Sequence, residues 1–380
     1  MNKKVFLTRI TAILVTVAIL FSFASCSNTK TPENHPSTQS QETTAAESTT
    51  GSLGKEIELD EPVVITDHLG RQITITKIID QSGGQNIVSG QVNRIVSGYY
   101  ITTSLLIALG LEDKIVGVEA KADSRPIYSL AAPQILDLPN VGTAKQFDLE
   151  GCLALKPDLV ILPVRLKDSI ETLEKQGVNV IGVNPEDMDL LKETITIVGQ
   201  ATGTEDRALR LIEYYDEKLN EMAEITRGTT PKKVYLAGNS DMLSTATAKM
   251  YQNSLIETAG GINVASDIDD TYWATISYEQ LLAYNPDIII IVPFAEYTRE
   301  DVLNDPKLKS INAVKNNAVY KMPESFEAWD SPVPSGILGA MWLTSILHED
   351  KYPFDKFRED AAEFFREFYD FEIDKEEITK

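Results

Sequence analysis

The sequence predicts an α/β protein made of two lobes, each a mostly parallel sheet flanked by helices, joined by a single long helix. Short apolar strands alternate with helical segments, one longer amphipathic helix interrupts that alternation, and one sequence element occurs on both sides of the helix. A chain of 380 residues is long enough for about two domains. The predicted parts are residues 56–203 for the N-terminal lobe, 204–228 for the connecting helix and 229–380 for the C-terminal lobe.

The first residues predict export and lipid attachment. Basic residues precede an apolar run over residues 10–23, which is too short for a permanent membrane span. Residues 23–26 then read Phe-Ala-Ser-Cys, which resembles the lipobox of bacterial lipoproteins, where the cysteine is acylated and the chain is cut before it. We interpret residues 1–25 as a lipoprotein signal peptide and Cys26 as the lipidation site. The alternative is an ordinary signal peptide that happens to contain a cysteine.

Residues 26–55 predict a flexible linker. They are rich in Ser, Thr, Pro, Glu, Gln and Asn and contain few apolar side chains. Such a segment cannot bury enough surface to offset the entropy lost on ordering. The folded part is therefore expected outside the cytoplasm, tethered to the cell membrane by its lipid.

The composition excludes several classes of protein. A net charge of −22 disfavours nucleic acid as a partner, because phosphate contacts need clustered cations. With Cys26 and Cys152 as its two cysteines, the chain has no disulfide framework, and we expect Cys152 to be a small buried apolar residue. His35, His68 and His348 are too scattered for a Cys/His metal cluster. We expect no direct metal site and no intrinsic cofactor, so a metal would arrive inside a ligand.

Apolar periodicity places the elements in order. Residues 63–75 alternate apolar and polar side chains about a Gly-containing turn, which predicts a β-hairpin. A helix from residue 204 to about residue 225 lies between Gly203 and Gly228, and it separates two regions of strand-helix alternation. That alternation favours βαβ units, and so Rossmann-like lobes. Strands are predicted at residues 95–97, 114–118, 158–162, 178–183 and 233–238.

A repeated element supports the division into two lobes. The pattern Glu-x-x-Leu-Ala-x-x-Pro-Asp occurs at residues 150–158 and 279–287, and an apolar strand follows each copy. Asp148 and Ser277 stand where a helix N-cap is expected, and the proline ends the helix. Each copy therefore predicts a short capped helix followed by a buried strand.

Together these motifs resemble the substrate-binding lipoproteins of ABC importers for iron complexes and vitamin B12, in which a single helix joins two lobes. The resemblance spans nearly all of residues 60–375. It rests on the order and spacing of several segments rather than on one motif. These segments are residues 65–71, 94–97, 109–118, 141–142, the two repeated elements, residues 259–265 and residues 329–343.

The resemblance implies two partners, a ligand and a membrane permease. A small-molecule metal complex would bind between the lobes and be delivered to an ABC permease dimer, with modest lobe closure because the hinge is a rigid helix. An acidic residue on each lobe docks to permease arginines in that family, and the matching positions are Glu150 and Glu279. The alternative is that each carboxylate only favours the positive end of its helix, worth about 0.3–1 kcal/mol.

Candidate ligand contacts follow the carboxyl ends of predicted strands, where crevice ligands bind in open α/β sheets. Aromatic faces pack on a chelate, and cations neutralise an anionic one. A tyrosine can also coordinate haem iron. The alternative for each aromatic residue is packing in the core or in a loop. The candidates are Tyr99, Tyr100, Lys121, Arg125, Arg165, Tyr272, Trp273 and Trp329.

The predicted function is capture of a metal chelate, above all a ferric siderophore or another iron complex, for an ABC permease. A corrinoid, or the oxyanion molybdate or tungstate, is the alternative cargo on the same fold. An enzyme is disfavoured because the nucleophile elbow Gly-x-Ser-x-Gly, the P-loop and the Gly-x-Gly-x-x-Gly fingerprint are all missing from the sequence. A surface adhesin that reuses the fold is a third hypothesis.

Overall fold

The computed structural model describes residues 63–75 and 92–380. The predicted signal peptide, the predicted lipidation site Cys26 and the predicted linker over residues 26–55 lie outside these residues. Within the described part, two sheets with flanking helices form two lobes, as the sequence predicts. None of the helices described there combines the length and the apolar character needed to cross a bilayer.

The N-terminal lobe surrounds a four-stranded parallel sheet. Its elements are β1 (Val63–Thr66), β2 (Gln72–Ile75), β3 (Ile95–Ser97), α1 (Tyr100–Ala108), β4 (Ile115–Gly117), α2 (Pro126–Ala131), β5 (Gly142–Thr143), β6 (Gln146–Phe147), α3 (Leu149–Ala154), β7 (Leu159–Pro163), α4 (Lys167–Lys175), β8 (Asn179–Val183) and α5 (Met188–Thr202). The strand order is β4-β3-β7-β8. The predicted strands agree with the observed ones to within about a residue, because each is a short apolar run with polar or turn residues at its ends.

The C-terminal lobe follows one long helix and contains a mixed six-stranded sheet. The elements are α6 (Glu205–Thr226), β9 (Lys232–Ala237), β10 (Ser244–Ala246), α7 (Tyr251–Thr258), β11 (Gly261–Asn263), β12 (Trp273–Thr275), α8 (Tyr278–Tyr284), β13 (Ile288–Ile291), α9 (Arg299–Asn304), α10 (Asn312–Lys315), β14 (Val319–Lys321), α11 (Gly336–Leu347) and α12 (Phe354–Tyr369). The order is β12-β10-β9-β13-β14, with β11 also beside β9. β10 and β12 pair antiparallel, whereas β11, β9, β13 and β14 run parallel.

Helix α6 connects the lobes and packs into a core that they share. Its 22 residues span about 33 Å at 1.5 Å per residue. Tyr215 on this helix is fully buried, and its hydroxyl donates to the carbonyl oxygens of Val333 and Pro334, at 3.1 and 2.8 Å. One cluster of buried apolar residues runs from Ile95 in β3 through α6 to Phe368 in α12. The helix is therefore held by side chains of both lobes.

The repeated element adopts the predicted conformation in both lobes. The Asp148 carboxylate accepts a hydrogen bond from the Gly151 N–H at 2.9 Å at the start of α3, and the Ser277 hydroxyl accepts one from the Gln280 N–H at 3.2 Å at the start of α8. Strands β7 and β13 follow, fully buried. Cys152 lies in α3 with no exposed surface, as expected, and burial raises the pKa of its thiol to about 11.

The aspartate that ends each repeat has a role that the sequence does not reveal. Asp158 accepts hydrogen bonds from the N–H groups of Asn93 and Arg94, both at 3.0 Å, at the beginning of β3. Asp287 accepts one from the N–H of Lys233 at 3.1 Å, at the beginning of β9. Since β3 neighbours β7 and β9 neighbours β13, each aspartate fixes the start of the adjacent parallel strand.

A buried carboxylate fastens the N-terminal hairpin to the edge of the first sheet. Asp67 accepts hydrogen bonds from the N–H of Gly182 in β8 at 2.9 Å and from Arg71 Nε at 3.0 Å. Burial alone raises the pKa of Asp67, but these hydrogen bonds and the Arg71 charge outweigh it, so the net shift is downward. The ionised carboxylate therefore stabilises the fold above the unfolded-state pKa of about 3.9, and this stabilisation is lost as the pH falls through the folded-state pKa.

We predict that Asp67→Ala lowers the free energy of unfolding by about 2–3 kcal/mol at neutral pH, because it leaves the Gly182 N–H and the Arg71 side chain without their acceptor. The difference from wild type should shrink below about pH 4. Urea unfolding at several pH values measures it. Glu193→Ala is the control, since Glu193 is an exposed partner of His68, and it should change stability by less than about 0.5 kcal/mol. Equal effects of the two variants would contradict the assignment.

Candidate functional site

A crevice of about 770 Å³ lies between the two lobes. Strands β3, β7 and β8 of the first lobe and β9 and β13 of the second end at residues that open into it, so both sheets present their carboxyl ends. This is where ligands bind in open α/β sheets. Its aromatic and polar lining consists of Tyr99, Tyr100, Arg165, Asn184 and Glu186 from the first lobe and Asn239, Tyr251, Gln252, Tyr272, Trp273, Phe294, Asp330 and Ser331 from the second.

Two tyrosines and an arginine form the first-lobe wall. The rings of Tyr99 and Tyr100 meet edge to face with centroids 5.3 Å apart, and the Arg165 guanidinium carbon lies 5.1 Å from the centroid of the Tyr99 ring. Burial raises the pKa of both phenols, so they are neutral at physiological pH. Burial also raises the pKa of Glu186, and the charge of Arg165 opposes that shift. These side chains offer ring faces, phenol donors and one cation.

Arg125 packs on the ring of Tyr100 beside the crevice. Its guanidinium carbon lies 3.9 Å from the centroid of the Tyr100 ring, and its Nε lies 3.2 Å from Oε1 of the buried Glu119. Glu119 also accepts a hydrogen bond from the Tyr128 hydroxyl at 2.8 Å. The Arg125 charge is thus neutralised locally, beside a small cavity that adjoins the crevice and shares Tyr100, Phe294 and Ala328 with it. Lys121 is exposed, has a φ of 69° and does not line the crevice.

The second-lobe wall carries three exposed aromatic side chains. Tyr272, Trp273 and Phe294 are 51, 38 and 46 % exposed. Phe294 has a φ of 58°, an uncommon backbone conformation for an aromatic residue, and its N–H donates to Glu324 at 2.8 Å. Exposed aromatic rings on one wall of a crevice are suited to packing against an apolar or aromatic surface.

Trp329 is not a crevice residue, which corrects the sequence-based expectation. It has no exposed surface and packs against Phe326, Phe357 and Phe365, with ring centroids 6.5, 5.8 and 6.5 Å away. Its ring belongs to the core cluster because the buried aromatic face of the amphipathic helix α12 packs against it. The next residue, Asp330, lines the crevice instead.

Sequence reasoning missed a polar pair on the second-lobe wall. Gln252 and Asp330 are 4 and 8 % exposed, and Gln252 Nε2 donates to Asp330 Oδ2 at 3.3 Å. Burial raises the pKa of Asp330 to about 6. The neighbouring Ser331 hydroxyl accepts a hydrogen bond from the Tyr100 hydroxyl at 3.3 Å, which links the lobes across the crevice. The sequence feature that could have predicted Asp330 and Ser331 as crevice residues is their polar character directly after Trp329.

Glu150 and Glu279 occupy equivalent places in the two lobes. Both are exposed, and each is the second residue of its helix, α3 or α8. Hydrogen bonds from its own backbone N–H and from the Ser277 hydroxyl lower the pKa of Glu279. The repeated element thus presents one acidic side chain to solvent on each lobe.

The chain belongs to the periplasmic binding protein family, whose profile matches residues 95–326. With two lobes, a helical connection and a crevice between them, it is a solute-binding protein of the class that serves ABC importers. This confirms the predicted family and α/β fold. The relatives are binding proteins and not enzymes, and what they hold is a ligand and not a cofactor, as the sequence predicts.

Two relatives and one structure of similar fold show what the chain resembles. The molybdate-binding protein MolA of Haemophilus influenzae is 24 % identical over 332 residues, which cover 80 % of this chain and 90 % of that protein. Its molybdate-bound structure superposes with a TM-score of 0.70 over 82 % of this chain and 99 % of MolA. The vitamin B12-binding protein of Yersinia pestis is 26 % identical over 203 residues, covering 52 % of this chain and 69 % of that protein. Helicobacter pylori CeuE, solved as a Ni-His complex, is 20 % identical and has a TM-score of 0.68, with 84 % of this chain and 100 % of CeuE covered.

The elevated pKa of Asp330 makes stability depend on pH. The folded state holds this proton up to about pH 6, whereas the ordinary value is 3.8, so stability falls as the pH rises between these values. Burial raises the pKa of the neighbouring Tyr100 and Tyr251, so neither phenol titrates in this range. We predict that Asp330→Asn is more stable than wild type at about pH 8, by on the order of 2–3 kcal/mol, and that the advantage disappears near pH 4.

Thermal unfolding of both proteins across this pH range measures the effect. Asp269→Asn is the matched control, because Asp269 is exposed and the same change there removes a charge without burial. A pH-independent difference for Asp330→Asn, or an equal effect of the control, would contradict the prediction.

Proposed function

We propose that this protein is an extracytoplasmic, lipid-anchored receptor that captures a metal chelate in the inter-lobe crevice and delivers it to an ABC permease dimer. The chelate is above all a ferric siderophore or another iron complex. The observation that carries the proposal is the 770 Å³ crevice with aromatic side chains on both walls. Sites for drug-sized ligands occupy about 300–1,000 Å³ and are mostly apolar with a few placed polar groups.

Size and charge favour a chelate over molybdate or tungstate. A tetrahedral oxyanion fills a small part of such a crevice and needs cations and N–H donors around it. The crevice offers one cationic side chain, Arg165, and two carboxylates, Glu186 and Asp330. Ring faces instead suit a ligand that wraps its metal in organic surface.

A thermal-shift screen tests the ligand class. The probes are ferric desferrioxamine B, ferric enterobactin, haem, cobalamin, molybdate and tungstate, each compared with its metal-free form where one exists. A ligand at 100 times its dissociation constant stabilises the folded protein by about 2.7 kcal/mol. Stabilisation by an iron chelate supports the proposal. Stabilisation by molybdate or tungstate alone would make the protein an oxyanion carrier, and stabilisation by cobalamin alone would make it a corrinoid carrier.

We predict that Trp273→Ala weakens binding of the chelate by about 10- to 30-fold, because it removes an exposed ring from the second-lobe wall. Isothermal titration measures the affinity. Leu209→Ala is the control, since Leu209 is a large apolar residue, 55 % exposed, on α6 and away from the crevice lining. Equal affinity of both variants and wild type would show that the aromatic wall does not contact the ligand.

Glu150 and Glu279 are the proposed contacts to the permease. Their support is their exposure and their matching positions in the repeated element of the two lobes. Two acids, one on each lobe, suit a partner that presents a cation from each subunit of a dimer.

We predict that Glu150→Arg with Glu279→Arg reduces uptake at least about tenfold and leaves ligand affinity within about twofold, because the reversed charges repel the partner and lie outside the crevice. Uptake of the radiolabelled chelate by cells and titration of the purified protein measure the two quantities. Glu171→Arg with Glu257→Arg is the matched control, because it reverses one acid on each lobe, the half-buried Glu171 and the exposed Glu257. Uptake that survives the first pair intact would remove the docking assignment.

The proposed lipid anchor rests on the sequence of residues 23–26. We predict that Cys26→Ser abolishes incorporation of labelled palmitate and moves the protein from the membrane fraction to the soluble extracytoplasmic fraction, since the acyl chains hold it at the membrane. Cys152→Ser is the control, because that thiol is buried in the fold. Unchanged labelling of Cys26→Ser would contradict the anchor.

A further inference from the structure

The second-lobe wall of the crevice holds an acceptor without a donor. Gln252 Oε1 is buried and has no hydrogen-bond partner among the described residues, although the side chain lines the crevice. The amide orientation follows from Asp330, because a carboxylate accepts from Nε2 and so leaves Oε1 free. A buried acceptor without a partner destabilises the free protein. Because the oxygen is enclosed in the free protein, a ligand removes this penalty when the Gln252 amide turns toward the crevice and receives a donor there.

The charges that line the crevice also favour a ligand that is not anionic. Its charged side chains are Arg165, Glu186 and Asp330, so the lining is net negative when both carboxylates are ionised. Lys121 and Arg125 do not line it, and Arg125 is already paired with Glu119. The whole chain carries −22. A strongly anionic ligand is thus opposed both locally and at long range, whereas a neutral or cationic one is not.

We propose that the Gln252–Asp330 pair receives a protonated amine of the ligand, so that the cargo is a neutral or cationic chelate that bears an ammonium group. This inference rests on the proposed function. An ammonium group has three N–H donors and a positive charge, so it satisfies the Gln252 oxygen and compensates the Asp330 carboxylate together. A hydroxyl group supplies only one donor and no charge.

A pair of probes isolates this contact. The ferric complex of desferrioxamine B ends in a free ammonium, and its N-acetyl derivative has the same metal centre without that charge. Wild type should bind the ammonium form at least about tenfold more tightly, as expected for a close charge pair with little solvent. Asp330→Asn should bind the two complexes equally and keep the wild-type affinity for the N-acetyl form. The four affinities form a thermodynamic cycle that measures the interaction between the ammonium group and the Asp330 side chain.

Several results would overturn the inference. Equal affinities of wild type for the two complexes, or a preference that persists in Asp330→Asn, would leave the proposed function standing and remove the ammonium site. If Asp330→Asn binds neither ferric complex, the Asp330 carboxylate has a structural role. Tighter binding of the triply anionic ferric enterobactin than of ferric desferrioxamine B would refute the charge argument.

If no chelate in the thermal-shift screen stabilises the protein, the proposed function fails and the amine site is tested alone. The probe is then n-pentylammonium, compared with n-pentanol. Stabilisation of wild type by the amine, absent in Asp330→Asn and absent with the alcohol, supports the site. No shift, or the same shift in both proteins, overturns it.

Discussion

The apolar core that the two lobes share through α6 is the constraint on which the rest of the molecule depends. The cluster extends from β3 through α6 to α11 and α12, so neither lobe completes its core without the other. A buried carboxylate adds a polar link, since Glu327 in the second lobe accepts hydrogen bonds from Ser104 of α1 and from Tyr369 of α12. Burial raises the pKa of Glu327, and the hydroxyl donors around it oppose that shift. We expect a joint built in this way to limit lobe motion to small adjustments and to keep the crevice largely formed.

A preformed crevice changes what its lining residues do for binding. Tyr100 is already fixed by the Arg125 guanidinium on its ring and by its hydrogen bond to Ser331 in the other lobe. Its ring therefore loses little rotamer freedom when a ligand packs on it. The sequence predicts that Arg125 neutralises an anionic ligand. Its guanidinium instead pairs with Glu119 and packs on the Tyr100 ring. The crevice is thus less cationic than the sequence implied, and this favours an organic chelate surface over a bare oxyanion.

Trp329 and Asp330 show how neighbouring residues acquire opposite roles. The loop before α11 turns the tryptophan into the core, where Phe357 and Phe365 enclose it, and leaves the aspartate at the crevice. Local sequence does not decide this orientation, because a loop has no fixed periodicity to assign its residues to a face. The partner of Asp330, Gln252, comes from α7, 78 positions away along the chain. The pair exists only because tertiary packing brings α7 and this loop together.

The sequence by itself determined the features that local physics controls. Apolar runs placed β3, β4, β7, β8, β9 and β13, Asp148 and Ser277 marked the helix caps, and the repeated element marked one equivalent unit in each lobe. Tertiary structure alone decided which strand-end side chains meet. It brought Tyr99, Arg165 and Trp273 to the crevice, placed Lys121 on the surface and enclosed Trp329 in the core. The physical reason is that caps and strand burial depend on residues a few positions apart, whereas a crevice depends on distant loops whose directions are set by the packing around α6.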